Sequence, residues 1–132
     1  MTQAAVTDFD RIGGEPVVRA IIDRFVDRLF GDMIVGFFFA GKDAGRVKTH
    51  EYEHAARTLG ADIPYTGRPI APLHRPLRIN GGQFRRRLAI LKQEIDAGGV
   101  APDIAERWLA EQRAMQTQIT DGTDCAPEPT DA

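Results

Sequence analysis

Three histidines, His50, His54 and His74, are the side chains of this sequence best suited to hold a metal ion, and their settings differ. His50 and His54 fall in the string His50-Glu51-Tyr52-Glu53-His54. Two histidines four residues apart on a helix can share a zinc ion, with the glutamate as general base. That chemistry needs a third protein ligand, for which only His74 or an unassigned carboxylate is available. It also needs an edge strand to hold an extended peptide, and Glu53 puts a charge inside a motif that usually lies in a buried helix. A zinc peptidase of the HExxH type is therefore a weak alternative. His74 lies at the centre of the stretch Tyr65 to Ile79. Pro69, Pro72, Pro76 and Gly67 forbid one long helix there. Ile70, Leu73, Leu77 and Ile79 nevertheless make it too apolar to lie wholly in water. A constrained apolar connection with one imidazole in its middle is what a haem-iron ligand needs, because neutral imidazole binds iron well and apolar neighbours keep water off the metal. Taken alone, the segment fits a histidine in an ordinary helix–helix connection better still, so the rest of the chain must decide.

The elements that would position these residues are helical. Phe9 to Ile12 forms a short helical turn before the break at Gly13-Gly14. Pro16 sits where a first helical turn tolerates proline. Val18, Ile21, Ile22, Phe25, Val26, Leu29 and Phe30 then repeat at steps of three and four, the mark of an amphipathic helix that Gly31-Asp32 ends. Met33 to Phe39 is apolar, interrupted by Gly36 and too short for a good helix; its three phenylalanines must bury against something large and flat. Asp43 caps the next helix, which runs to about Leu59 with Gly60 as its stop. Tyr52, Ala55, Ala56 and Leu59 form one stripe of that helix. Val47, Glu51, His54 and Thr58 form a neighbouring one, with His50 on its far flank, and periodicity leaves open whether these polar residues face water. After the His74 segment, Asn80 and Gln83 have the spacing of a capping box, and Phe84, Leu88, Leu91 and Ile95 continue as a helix to Gly98-Gly99. Pro102 opens a last helix with Ile104, Trp108, Met115 and Ile119 on one face, stopped at Asp121-Gly122. No strand pattern or internal repeat is present, so the chain is all-α.

Composition narrows the function classes. The 132 residues suffice for one domain, and 42% apolar with 27% charged residues is the balance of an ordinary globular protein. A net charge of −2 gives no reason to expect nucleic acid or an anionic membrane as partner. The one basic run, Arg85-Arg86-Arg87, is expected on a solvated helix face. The single cysteine, Cys125, excludes an internal disulfide or a cysteine-rich metal cluster. No apolar run is long enough to span a membrane and residues 1–30 lack a signal-peptide pattern, so a cytoplasmic location is the expectation. Phosphate-binding loops, dinucleotide fingerprints and nucleophile elbows are absent.

Together these residues resemble a truncated (2-on-2) haemoglobin, most closely group I, over about residues 9–120. Phe9-Asp10-Arg11-Ile12-Gly13-Gly14-Glu15 is similar to the short first helix and glycine pair of that family. Asp23-Arg24-Phe25 is similar to part of the helix over the distal side of the haem, and Phe38-Phe39-Ala40-Gly41 to the aromatic corner that packs on the porphyrin. Tyr65-Thr66-Gly67-Arg68-Pro69-Ile70, then Leu73-His74, Ile79 and Phe84, carries the most specific resemblance. It implies a 2-on-2 globin domain over residues 9–122; residues 1–8 read from the sequence itself as a flexible N-terminus, and the Asp-, Pro-, Glu- and Thr-containing residues 123–132 as a disordered tail. The resemblance implies haem b as cofactor and His74 as proximal iron ligand. The haem walls would be Phe25, Phe39, Val47, Tyr65, Ile70, Leu73, Ile79 and Phe84, with Glu51 also at the cofactor.

The departures bear on ligand chemistry. A tyrosine that donates to the bound ligand usually follows the phenylalanine matched by Phe25; here the residue is Val26. A glutamine common in the family matches Glu51, and a usual aromatic matches His54. His50 falls where some six-coordinate members have a second iron ligand. Covalent haem attachment through a histidine of the last helix is excluded, because that position is Thr117. The implied function is binding of diatomic ligands (oxygen, nitric oxide, carbon monoxide), with nitric oxide or peroxide chemistry and a reductase partner in a monomer or weak dimer. A haem redox, electron-transfer or sensor protein is the alternative, and there His50 would occupy the sixth position.

Overall fold

The computed structural model describes residues 6–67, 78–116 and 120 of the chain. Among these residues the structure is helical, with one isolated parallel bridge, Ile79 to Thr120, and no strand. The elements in order are α1 (Asp8–Ile12), α2 (Glu15–Gly31), a 3₁₀ turn (Gly36–Phe39), α3 (Ala44–Thr58), α4 (Gly81–Ala97) and α5 (Pro102–Ala114). α2 packs on α3 and α4, α4 on α5, and α3 on α5, so two helix pairs face each other. α1 and the 3₁₀ turn both lean on α2. No described helix is long and apolar enough to cross a membrane.

The periodic pattern of α2 becomes the core. Val18, Ile21, Ile22, Phe25, Val26 and Leu29 are at most 2% exposed. Each such side chain contributes about 1.5–3 kcal/mol on burial. From the other helices Tyr52, Ala55, Ala56, Ile90, Leu91, Ile95, Ile104 and Trp108 complete one continuous cluster.

The Asp43 and Asn80 caps read from the sequence are present, and Thr7 adds one not expected from the sequence. Thr7 accepts from the Asp10 N–H at 3.1 Å, so α1 starts at Asp8, one residue before the apolar pattern begins. Asp43 accepts from the Gly45 N–H at 2.8 Å and the Arg46 N–H at 3.3 Å, which starts α3. Asn80 and Gln83 form a reciprocal capping box at 2.8 and 2.9 Å, which sets the direction of α4.

The last helix differs from expectation: α5 stops as a continuous helix at Ala114, with Met115 as its cap. A helical bond recurs from the Thr120 N–H to the Gln116 carbonyl at 2.8 Å, where Thr120 is held by its bridge to Ile79. Ile119 and the expected tail lie outside the described residues.

Two polar clamps fix the layers. Glu94 of α4, nearly buried, accepts from Arg24 Nε at 3.0 Å and Arg28 Nη1 at 3.1 Å, both on α2. Asp8, Arg11, Asp103 and Arg107 form an exposed network between α1 and α5, with bonds of 2.8–2.9 Å from Arg107 to both carboxylates. The Arg11 and Arg107 guanidiniums hold the Asp103 carboxyl down at about 2, and the bond from Arg107 lowers that of Asp8. A folded-state value below the unfolded one means that this contribution is present above about pH 4 and is lost as pH falls towards 2.

Two outcomes follow from this architecture. Asp103→Asn should lower the melting temperature by a few degrees at pH 7 and low salt. The gap to wild type should close in concentrated salt and on acidification from pH 4 to 2, as read by circular dichroism melts. At Gly36 an added Cβ would lie 2.8 Å from the Phe30 carbonyl oxygen and 3.3 Å from that of Leu29, and backbone cannot rotate away. Gly36→Ala should cost about 1–3 kcal/mol in denaturant unfolding.

Candidate ligand cavity

Asp32 turns the segment after α2 so that Val35, Phe38 and Phe39 go inward while Met33, Ile34 and Phe37 stay exposed, which corrects the expectation that all three phenylalanines bury. Asp32 Oδ2 accepts the N–H groups of Ile34 at 2.9 Å and Val35 at 3.1 Å, and its Oδ1 accepts Arg86 Nη2 at 2.7 Å. These bonds, the Arg86 bond first, hold the Asp32 carboxyl below the usual carboxylate range. The 3₁₀ turn that follows sets Phe39 against Phe30, with ring centroids 4.8 Å apart. Val35 is buried, and Phe38 and Phe39 are half-buried.

These residues form one wall of a cleft of about 460 Å³, counting its open mouth. Leu29 of α2, Val35, Phe38 and Phe39 make this side. Ile79, before α4, and Gln83, Phe84 and Arg87 of α4 also line it. So does Glu51 of α3. An apolar cavity with a few convergent polar groups at the junction of three helices is a ligand-site geometry.

Of the residues singled out from the sequence, the cavity brings together Phe39, Glu51, Ile79 and Phe84. Phe25 and Val26 are fully buried behind it. Val47 is half-buried and packs on the core. Tyr65 is half-buried, with its ring centroid 6.0 Å from that of His50 and 6.2 Å from that of His54. The two histidines thus flank one tyrosine. Burial pushes the Tyr65 phenol up and the His54 imidazole down. His74, Ile70 and Leu73 lie outside the described residues.

Among the described residues the HExxH string does not assemble a zinc centre. Glu51 is ion-paired to Arg87 at 3.1 Å. Glu53 accepts the Thr66 backbone N–H at 2.8 Å and the Thr66 hydroxyl at 2.9 Å, which lowers its carboxyl. Among the described residues no three His, Cys, Asp or Glu side chains group around a metal position.

The expectation of a solvated basic run holds at Arg85, which is exposed, and is corrected at Arg86 and Arg87. Arg86 is bound to Asp32, and the Arg87 side chain is only 17% exposed. Arg87 Nη2 donates to Glu51 Oε1 at 3.1 Å and to Gln112 Oε1, on the buried face of α5, at 3.1 Å. Its guanidinium carbon stands 4.9 Å from the centre of the Phe25 ring, a cation–π contact. Nη1 is buried with no hydrogen-bond partner among the described residues. The sequence held a signal for this: Arg87 is three residues after Phe84 and four before Leu91, so it shares their helical stripe. A run of three arginines masks that phase.

Residues 7–121 match the model of a family described as bacterial-like globin. The chain is 28% identical over 114 residues to group 1 truncated hemoglobin GlbN of Mycolicibacterium paratuberculosis, covering 86% of this chain and 84% of that protein. It is 26% identical over 113 residues to group 1 truncated hemoglobin GlbN of Nostoc commune, covering 86% and 96%. The fold is similar to the crystal structure of truncated hemoglobin from Tetrahymena pyriformis in its Fe(III) form, with a TM-score of 0.81 at 17% identity over 87% of this chain and 98% of that one. It is also similar to the group II truncated hemoglobin from Bacillus anthracis, with a TM-score of 0.82 at 20% identity over 96% and 100%. With helix pairs, aromatic corner and cavity arranged as above, the chain belongs to the bacterial-like globin family and has the truncated haemoglobin fold.

Proposed function

We propose that this protein binds haem b in the cavity, with His74 as axial ligand, and takes diatomic ligands (oxygen, nitric oxide or carbon monoxide) at the iron. The observation that carries the reading is the cavity itself, walled by the rings of Phe38, Phe39 and Phe84 with Leu29, Val35 and Ile79 beside them. Flat aromatic and branched aliphatic walls fit an apolar macrocycle, and burying one would add a large apolar area to a small core. The orphaned Arg87 Nη1 is a buried donor whose acceptor a bound group would supply. His74, Ile70 and Leu73 enter the proposal through membership of the family and the match of their segment to it.

When bound, haem supplies an iron that accepts a small ligand at an open position. The protein's own part is to exclude water, hold the imidazole and present polar groups. Val26 is fully buried and has no donor, so the polar lining comes from Glu51, Gln83 and Arg87. Family relatives and this lining fit a reversible ligand binder that a reductase keeps ferrous.

A six-coordinate resting state with His50 as second ligand is the accompanying proposal, and it suits redox or electron-transfer work. His50 is half-buried against Tyr65, on the helix whose next residue, Glu51, lines the cavity. His54 lies about 6 Å further along the same helix, so one iron held by His74 takes one of them and not both.

The absorbance of the purified protein tests the first proposal. A sharp Soret band is expected, and His74→Ala should abolish stable haem binding. A variant that kept the wild-type Soret maximum and stoichiometry would move the axial role to His50 or His54. For the second proposal, the ferric protein at neutral pH should be low spin. His50→Ala should convert it to high spin while His54→Ala leaves it low spin. A wild-type spectrum already high spin would instead leave the pocket open at rest.

A further inference from the structure

The Arg87 guanidinium is charged at any accessible pH and lies inside the fold. Its surroundings account for only part of it. Phe25 stacks on its face, and Glu51 and Gln112 both take bonds from the same nitrogen, Nη2. Nη1 is buried without a partner among the described residues, and Arg87 lines the cavity. A charged group with an unmade hydrogen bond is costly inside a protein, and the shortage is removed by an acceptor arriving from the cavity. The acceptor that gains most is an anion, because a charge-assisted bond is about twice as strong as a neutral one and the interior screens it weakly.

We infer that Arg87 makes this cavity a binding site for a small monovalent oxyanion, held by Nη1 and opposed by Glu51. Glu51 has two effects on this site. Its bond to Nη2 orients the guanidinium, and its carboxylate sets a like charge against the incoming anion. Gln112 and the Phe25 ring continue to orient Arg87 when the Glu51 charge is removed. Substitution at position 51 therefore separates attraction from orientation. The inference deepens the proposed function, since it names a ligand class for the same cavity and rests on that cavity being the ligand pocket. The anion's partners are nonetheless side chains of the chain itself.

The test is a calorimetric titration of the full-length protein, as purified, with sodium nitrite at constant ionic strength, with haem content read by absorbance on the same samples. Arg87→Met should weaken nitrite binding about tenfold or more. Glu51→Gln should tighten it about threefold or more, the sign expected when a like charge is neutralised. Carbon monoxide carries no charge and binds only ferrous haem; titrated into the same samples after reduction with dithionite, it should lose less affinity than nitrite in Arg87→Met, so that the ratio of nitrite to carbon monoxide affinity falls about fivefold or more. Unchanged nitrite affinity in Arg87→Met overturns the inference. So does weaker binding in Glu51→Gln, or an equal loss of nitrite and carbon monoxide affinity in Arg87→Met, which would make Arg87 a purely structural support. Arginine-dependent nitrite binding in samples that carry no haem would sustain the inference and sink the haem proposal instead.

Discussion

Val18, Ile21, Ile22, Phe25, Val26 and Leu29 leave almost no surface to water, and every other part of the fold answers to that one helical face. α3, α4, α1 and the 3₁₀ turn all pack on α2. Removing apolar area from water is non-directional, so by itself it would permit many arrangements. Direction comes from the polar bonds at the margins of the face. Arg24 and Arg28 of α2 grip Glu94 of α4, and Asp32 at the end of α2 grips Arg86 and turns Val35, Phe38 and Phe39 inward. The same helix thus drives collapse and sets the angle at which the other helices meet.

The cavity is a consequence of that arrangement. A small domain with a short 3₁₀ turn in place of a further long helix cannot fill the space between α2, α3 and the start of α4 with its own side chains. Phe38, Phe39 and Phe84 stand around the gap, and the buried Phe25 carries the Arg87 guanidinium on its face. The Arg87–Glu51 pair is therefore a charged element within an apolar frame. A largely buried pair of this kind contributes little net stability, since desolvation offsets much of the Coulombic attraction. Its significance lies in what it offers to a third partner. Val26 on α2 brings no polar atom, so the polar groups of the cavity come from α3 and α4.

Much of this was legible in the sequence. The steps of three and four in residues 18–30, the Asp43 and Asn80 caps and the glycine breaks are local signals, because capping and amphipathicity act within one or two turns of chain. They marked helix positions and the all-α class, while the candidate residues Phe39, Glu51, Ile79 and Phe84 came from the family resemblance. Spacing along the chain also carried the family resemblance. What the sequence could not decide was which of two adjacent stripes on α3 faces the interior, since Glu51 is polar on either reading and its environment depends on residues far away in the chain. Arg87 pairs with Glu51 across thirty-six positions and with Gln112 across twenty-five, and no local periodicity encodes either contact. Only the packing of α3 and α5 around α4 places a carboxylate and an amide opposite that guanidinium. Arg87, in a basic run that local composition assigns to solvent, is drawn inside because tertiary structure supplies acceptors and an aromatic face where water would otherwise have to be.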